Sequence, residues 1–165
     1  MGKRIERALT ARLGAVLCAL LWSVQAATAA CSPGEVHLRG DWGQARFTVE
    51  LADDADERAQ GLMHREFLAR SAGMLFVYNA PAELTFWMRN TLIELDMIFA
   101  DELGRVTHIH SRAQPLDETL IPSKGPALAV LEINGGLAEA MGLDVGSEMR
   151  HPAFDQSRAA WPCSR

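Results

Sequence analysis

Three groups of residues in this chain have the types and spacing to do chemistry. Asp96 and Glu132 each interrupt an otherwise apolar run, Leu95-Asp96-Met97-Ile98-Phe99 and Val130-Leu131-Glu132-Ile133. Carboxyl groups set into such runs are either tied to partners or poised at a site, because an unpaired buried charge is costly. Two of them in different environments could divide acid and base roles in a small hydrolase or lyase. His108 and His110 stand two apart, so on a strand they face one side, as metal ligands do. No glutamate follows at close spacing, and a pair of half-exposed strand histidines accounts for them better than a metal site does. Trp87, Arg89, Asn90 and Thr91 bring together an aromatic face, a cation, an amide and a hydroxyl. That set suits capture of a small polar or anionic ligand.

Other chemistries lack their residues. No serine lies in a Gly-x-Ser-x-Gly setting and there is no glycine-rich phosphate loop. Gly135-Gly136 ahead of a short helix is only a weak hint of an anion site. The expected metal and cofactor content is none. The structural alternative for Asp96 is an anchor on an arginine, and Arg89, seven positions earlier, is the nearest such partner in the sequence. The pair is expected to face one polar pocket, with Asn90 and Thr91 on its rim.

The elements that would position these residues can be read from periodicity. Residues 32–40 look like an extended lead-in. Ala45 to Leu51 alternates polar and apolar residues, which predicts a strand with Phe47, Val49 and Leu51 inward. Asp53 or Asp54 caps a helix running to about Gln60, with acidic residues in its first turn and Gly61 to end it. Gly73 to Tyr78 is too apolar for a solvated face and predicts a buried strand, followed by a turn at Asn79-Ala80-Pro81-Ala82. Phe86 to Asp101 reads as two strands joined through a polar corner at Arg89-Asn90-Thr91. Arg105 to Ser111 returns as a strand, and residues 112–126, with Pro115, Pro122, Gly125 and Pro126, read as a loop. Ala127 to Ile133 is a further buried strand, Leu137 to Met141 a short helix ended by Gly142, and Ser147 to His151 a last strand. Strands and helices do not alternate regularly, which argues against a doubly wound parallel sheet. The expected fold is mainly β (α+β): a compact antiparallel β-sandwich or barrel with one or two short appended helices.

The first thirty residues predict export. Lys3, Arg4, Arg7 and Arg12 precede an apolar run of twelve residues, Leu13 to Val24, and Ala27-Thr28-Ala29 fits a signal-peptide cleavage pattern. The run is shorter than the roughly 20 residues a membrane span needs. An uncleaved N-terminal anchor and lipidation of Cys31 remain as alternatives. Residues 31–165 are then a single mainly-β domain with a C-terminal tail at 152–165. Cys18 leaves with the leader, and Cys31 and Cys163 remain to form a disulfide in an oxidising compartment. The formal net charge of the chain is -5, and beyond residue 30 it carries 12 Lys and Arg against 20 Asp and Glu. A nucleic-acid binder needs a basic face, so none is expected as partner, nor a membrane once the leader is cleaved.

Several ordered motifs resemble one family. Glu57-Arg58-Ala59-Gln60-Gly61-Leu62-Met63-His64-Arg65 is followed by Gly73-Met74-Leu75-Phe76 and by Phe86-Trp87-Met88-Arg89-Asn90-Thr91, the most specific piece. Leu95-Asp96, Val130-Leu131-Glu132-Ile133 and Gly142-Leu143 complete a match over about residues 46–151. The chain resembles domain of unknown function 192, a bacterial and archaeal family. The resemblance implies a small, mainly β fold and implies no activity. Arg89 stands where the family often has lysine, and Glu94 where proline is common. Three classes of function follow: a non-catalytic periplasmic binding or accessory domain, a hydrolase or lyase using Asp96 and Glu132, and a metal module using His108 and His110.

Overall fold

The computed structural model describes residues 31–163. The expected leader therefore lies outside the described residues, and among those described no helix is long and apolar enough to cross a membrane. Seven strands form one sheet: β1 (Glu35–Gly40), β2 (Gly43–Ala52), β3 (Ala72–Phe86), β4 (Leu95–Ala100), β5 (Val106–Ala113), β6 (Ile121–Asn134) and β7 (Glu148–Arg150). Their spatial order is β5-β4-β6-β3-β2-β1-β7, and every pairing is antiparallel except β2 with β3. The sheet curls into a half-barrel. Its two ends touch where Arg105 bridges Glu148, Val106 N–H donates to Ser147 at 2.8 Å and Met149 N–H donates to Gly104 at 2.7 Å.

Both faces of the central strands are buried. One core contains Val36, Leu38, Phe47, Leu75, Ile98, Leu131 and Ile133. The other contains Met74, Phe76, Met97, Phe99 and Val130, roofed by Leu62, Leu68 and Met88. This is why β4 and the second half of β6 read as unbroken apolar runs, whereas β2, with one face in solvent, alternates.

Helix α1 (Ala55–Gln60) forms as its sequence predicts. Asp54 accepts from Glu57 N–H at 2.8 Å, Glu57 reaches back to Asp54 N–H, and Gly61 closes the helix at φ 49°. Helix α2 (Leu137–Met141) lies between Gly136 and Gly142, both left-handed.

Several expectations are corrected. The lead-in is a true strand, β1, with Val36 and Leu38 alternating inward. The turn expected at 79–82 is a register shift within β3, between Val77 and Ala82, and Pro81 sits where no ladder bond is needed. The strand carrying Trp87 and Arg89 does not exist: β3 ends at Phe86, and residues 87–94 are a loop. The loop expected at 112–126 shrinks to 114–120, since β6 begins at Ile121 and pairs with β3 through Pro122 and Pro126. Cys31 and Cys163 form a disulfide, with Cα atoms 5.2 Å apart.

Candidate functional site

The sheet register places Asp96 and Glu132 apart. Directly paired residues on neighbouring strands point to the same face. Asp96 pairs with Ile133, which belongs to the first core, while Glu132 pairs with Met97 and Met74, which belong to the second. The two carboxyl groups therefore lie on opposite faces of the sheet and cannot share a proton or a substrate.

Asp96 is fully buried and anchors the chain. Its Oδ1 accepts from Arg112 N–H and from Gly136 N–H, and its Oδ2 from Ala138 N–H, each at 2.8 Å. It thus ties the entry of α2 to β4 and β5. The expected Arg89–Asp96 pair is not formed. Arg89 is exposed, with its guanidinium 5.4 Å from the ring centroid of Trp87. Seven positions in sequence did not bring them together, because the intervening loop carries Arg89 away from the face on which Asp96 sits.

His108 and His110 do share a face, paired with Phe99 and Met97. The His108 ring stacks on Phe99, with centroids 5.7 Å apart. Burial, then Lys124 and His110 nearby, lowers its pKa, so the neutral ring is favoured. Among the described residues no group of three or more His, Cys, Asp and Glu side chains is placed to hold a metal ion.

Glu132 is the group that opens onto a cavity. A pocket of about 90 Å³ lies between the end of α1, the middle and end of β3, the 87–94 loop and β6. Arg58, Gln60 and Met63 line it from the helix side, Phe76, Tyr78 and Phe86 from β3, and Trp87 and Thr91 from the loop. Glu132, only 4% exposed, lies among them, and no hydrogen bond or ion pair joins its carboxyl to another described residue. Burial pushes its pKa up to about 8, so it is an uncharged acid at neutral pH. Burial also raises Tyr78, against Arg58, with the Glu132 carboxyl adding to the rise. Arg58 is held over the Tyr78 ring at 4.9 Å and donates through Nη1 to the carbonyls of Asp53 and Val77 at 2.6 and 2.9 Å.

The loop that supplies Trp87 and Thr91 is fixed from both sides. Met88, fully buried, donates its N–H to the Asp117 carbonyl at 2.8 Å, and Leu116 N–H donates to the Thr91 carbonyl at 3.1 Å. Asn90 takes a left-handed conformation at φ 55°, accepts from His64 N–H at 2.8 Å and points its amide at the Met63 sulfur. Asn90 thus shapes the loop rather than lining the cavity. Of the residues singled out from sequence, Trp87, Thr91 and Glu132 meet in this pocket. Arg89, Asn90 and Asp96 do not line it. Arg58 and Met63 do, whereas Arg65 turns outward to pair with Glu50 at 2.6 Å. Tyr78 and the flanking phenylalanines gave no sign in sequence beyond apolarity. The available signal was that four separate motifs, around Arg58–Met63, Phe76, Phe86–Thr91 and Glu132, need one place to converge.

The comparisons agree with this fold. The family model DUF192, described as "Uncharacterized ACR", matches residues 36–151. A crystal structure of a protein of unknown function from Novosphingobium aromaticivorans DSM 12444 is similar, with 48% identity and a TM-score of 0.69, covering 70% of this chain and 82% of that one. A second, from Sinorhizobium meliloti 1021 and named as a candidate transcription regulator, has 35% identity and a TM-score of 0.72, covering 76% of this chain and 98% of that one. No curated protein matches the sequence.

Proposed function

The chain belongs to the DUF192 family, and on that premise we propose that it is an exported, non-catalytic binding or accessory protein whose pocket beside Trp87 and Thr91 receives a small polar ligand. The observation that carries the reading is the Glu132 carboxyl. A side chain with two hydrogen-bonding oxygens is buried at a cavity and left without a protein partner. Its oxygens face the cavity, where water or a small polar ligand can supply the hydrogen bonds that the protein does not. Asp96, the other buried carboxyl on the sheet, shows the contrast: both its oxygens are taken up by backbone donors, three in all.

Export is supported by the leader composition and by the Cys31–Cys163 bridge, which suits an oxidising compartment. A role on DNA, as the name of the Sinorhizobium protein would suggest, finds no support in a chain with 20 acidic and 12 basic residues beyond position 30. A metabolite library screened by thermal shift tests the binding reading. Ligands that raise the melting temperature of the wild-type protein but not of Glu132→Gln support it. A library that shifts neither protein refutes it. Mass spectrometry of the exported protein is expected to find an N-terminus at Ala30 or Cys31, and an intact Met1 on soluble cytoplasmic protein would refute export.

A further inference from the structure

We propose that the Glu132 pocket takes a small alkylammonium group, an assignment that rests on the binding reading above. Glu132 is an acid with no cationic partner among the described residues, and the charge that complements a buried carboxylate is a cation. Four aromatic side chains, Phe76, Tyr78, Phe86 and Trp87, are among the lining residues, and ring faces attract cations. The protein itself already uses two of these rings in that way. Arg58 lies over Tyr78 at 4.9 Å and Arg89 over Trp87 at 5.4 Å.

Neither guanidinium satisfies Glu132. Arg58 is committed to the carbonyls of Asp53 and Val77, and Arg89, whose charge suggests an anionic ligand when only the sequence is read, does not line the cavity. The cavity, of about 90 Å³, has room for a group of several heavy atoms beside the carboxyl. That admits a short amine or the end of an aminoalkyl chain.

The groups facing Glu132 fix how binding depends on pH. Tyr78 and Arg58 share the cavity with it. The flanking strands present Met74 and Met97, the loop presents Thr91, and one strand further on to either side His110 and Glu50, the latter paired with Arg65, face the same side. Of these, Glu132 is the group that changes charge on binding. Its acid form, with a pKa of about 8, must give up a proton when an ammonium arrives. The proton goes to buffer, and the ammonium keeps its own. Near pH 7 the release is about 0.9 proton per ligand bound, and affinity rises close to tenfold from pH 6 to pH 7 and levels off above about pH 8.

The test is titration calorimetry of the purified full chain with n-propylammonium chloride, n-propanol and sodium propionate, at constant ionic strength. Runs at pH 6, 7 and 8.5, in buffers of different ionisation heat, count protons. The expected result is saturable binding of propylammonium alone, with proton release at pH 7, and loss of that binding in Glu132→Gln, whose folding is confirmed by its melting curve. Proton release by the wild-type protein needs no variant and stands by itself. Propionate binding that weakens as pH rises, or propanol binding without proton release, overturns the ammonium assignment while leaving the pocket as a binding site. Silence from all three also overturns it. The library screen on wild-type and Glu132→Gln protein then decides separately whether the pocket binds anything.

Discussion

Replacing Glu132 by glutamine should stabilise this protein at alkaline pH and leave it nearly unchanged in acid. In the unfolded chain the carboxyl titrates near 4.5, and in the folded state burial moves it to about 8. Between those values the folded protein holds a proton that the unfolded chain has released. Stability then falls as pH rises, by about 1.4 kcal/mol per pH unit. The loss is absent below pH 4.5 and complete above about pH 8. From pH 5 to pH 8 it amounts to about 4 kcal/mol, a large share of the roughly 5–15 kcal/mol that holds a domain folded. Glutamine is neutral throughout and does not follow this slope. Urea unfolding of both proteins at pH 5, 6.5 and 8 measures the difference directly. The variant should be close to wild type at pH 5 and about 4 kcal/mol more stable at pH 8. A wild-type-to-variant difference that stays constant with pH would show that Glu132 ionises in the folded protein as freely as in the unfolded chain.

Asp96→Asn should behave in the opposite sense. It keeps one carbonyl acceptor for three backbone donors and should cost about 2–3 kcal/mol in urea unfolding. A cost under about 0.5 kcal/mol would remove its role as anchor of α2. Arg89→Met should change stability by less than about 0.5 kcal/mol and show no coupling to Asp96 in a double-mutant cycle. A coupling of 1 kcal/mol or more would put the two side chains in contact after all. Reduction of Cys31–Cys163, separated by 132 positions, should lower stability by up to about 4–5 kcal/mol on the chain-entropy account. Two reactive thiols in unreduced, denatured protein would refute the bridge.

The elements legible in sequence are those whose signals are local. The capping box of Asp54 and Glu57 and the alternation of β2 needed no partner to be read. The loop 87–94 was harder, because Trp87, Met88 and Leu92 have the apolar content of a strand. What keeps this segment out of the sheet is distant: Met88 and Thr91 bond to Asp117 and Leu116 in another loop. The prolines of β6 misled for the same reason, since Pro122 and Pro126 are accommodated opposite an irregular part of β3. For the site, residue type singles out Glu132, Trp87 and Thr91, and these three line one cavity. The pairing of Glu132 with Asp96 could not be judged from type, because one step of register decides which face each carboxyl occupies. Tyr78 enters the site through the register shift after Val77, which no local pattern announces.

The bridge between Cys31 and Cys163 makes the intervening backbone a closed covalent ring. A ring must be cut twice before it falls into two pieces. The 114–120 stretch is exposed throughout and is the natural place for a protease to make the first cut. The halves on either side of it would still be joined through sulfur, and β6 would still lie between β3 and β4. The nicked protein should therefore migrate as one species until a reductant is added, a form of endurance that depends on covalent topology and not on the height of the unfolding barrier.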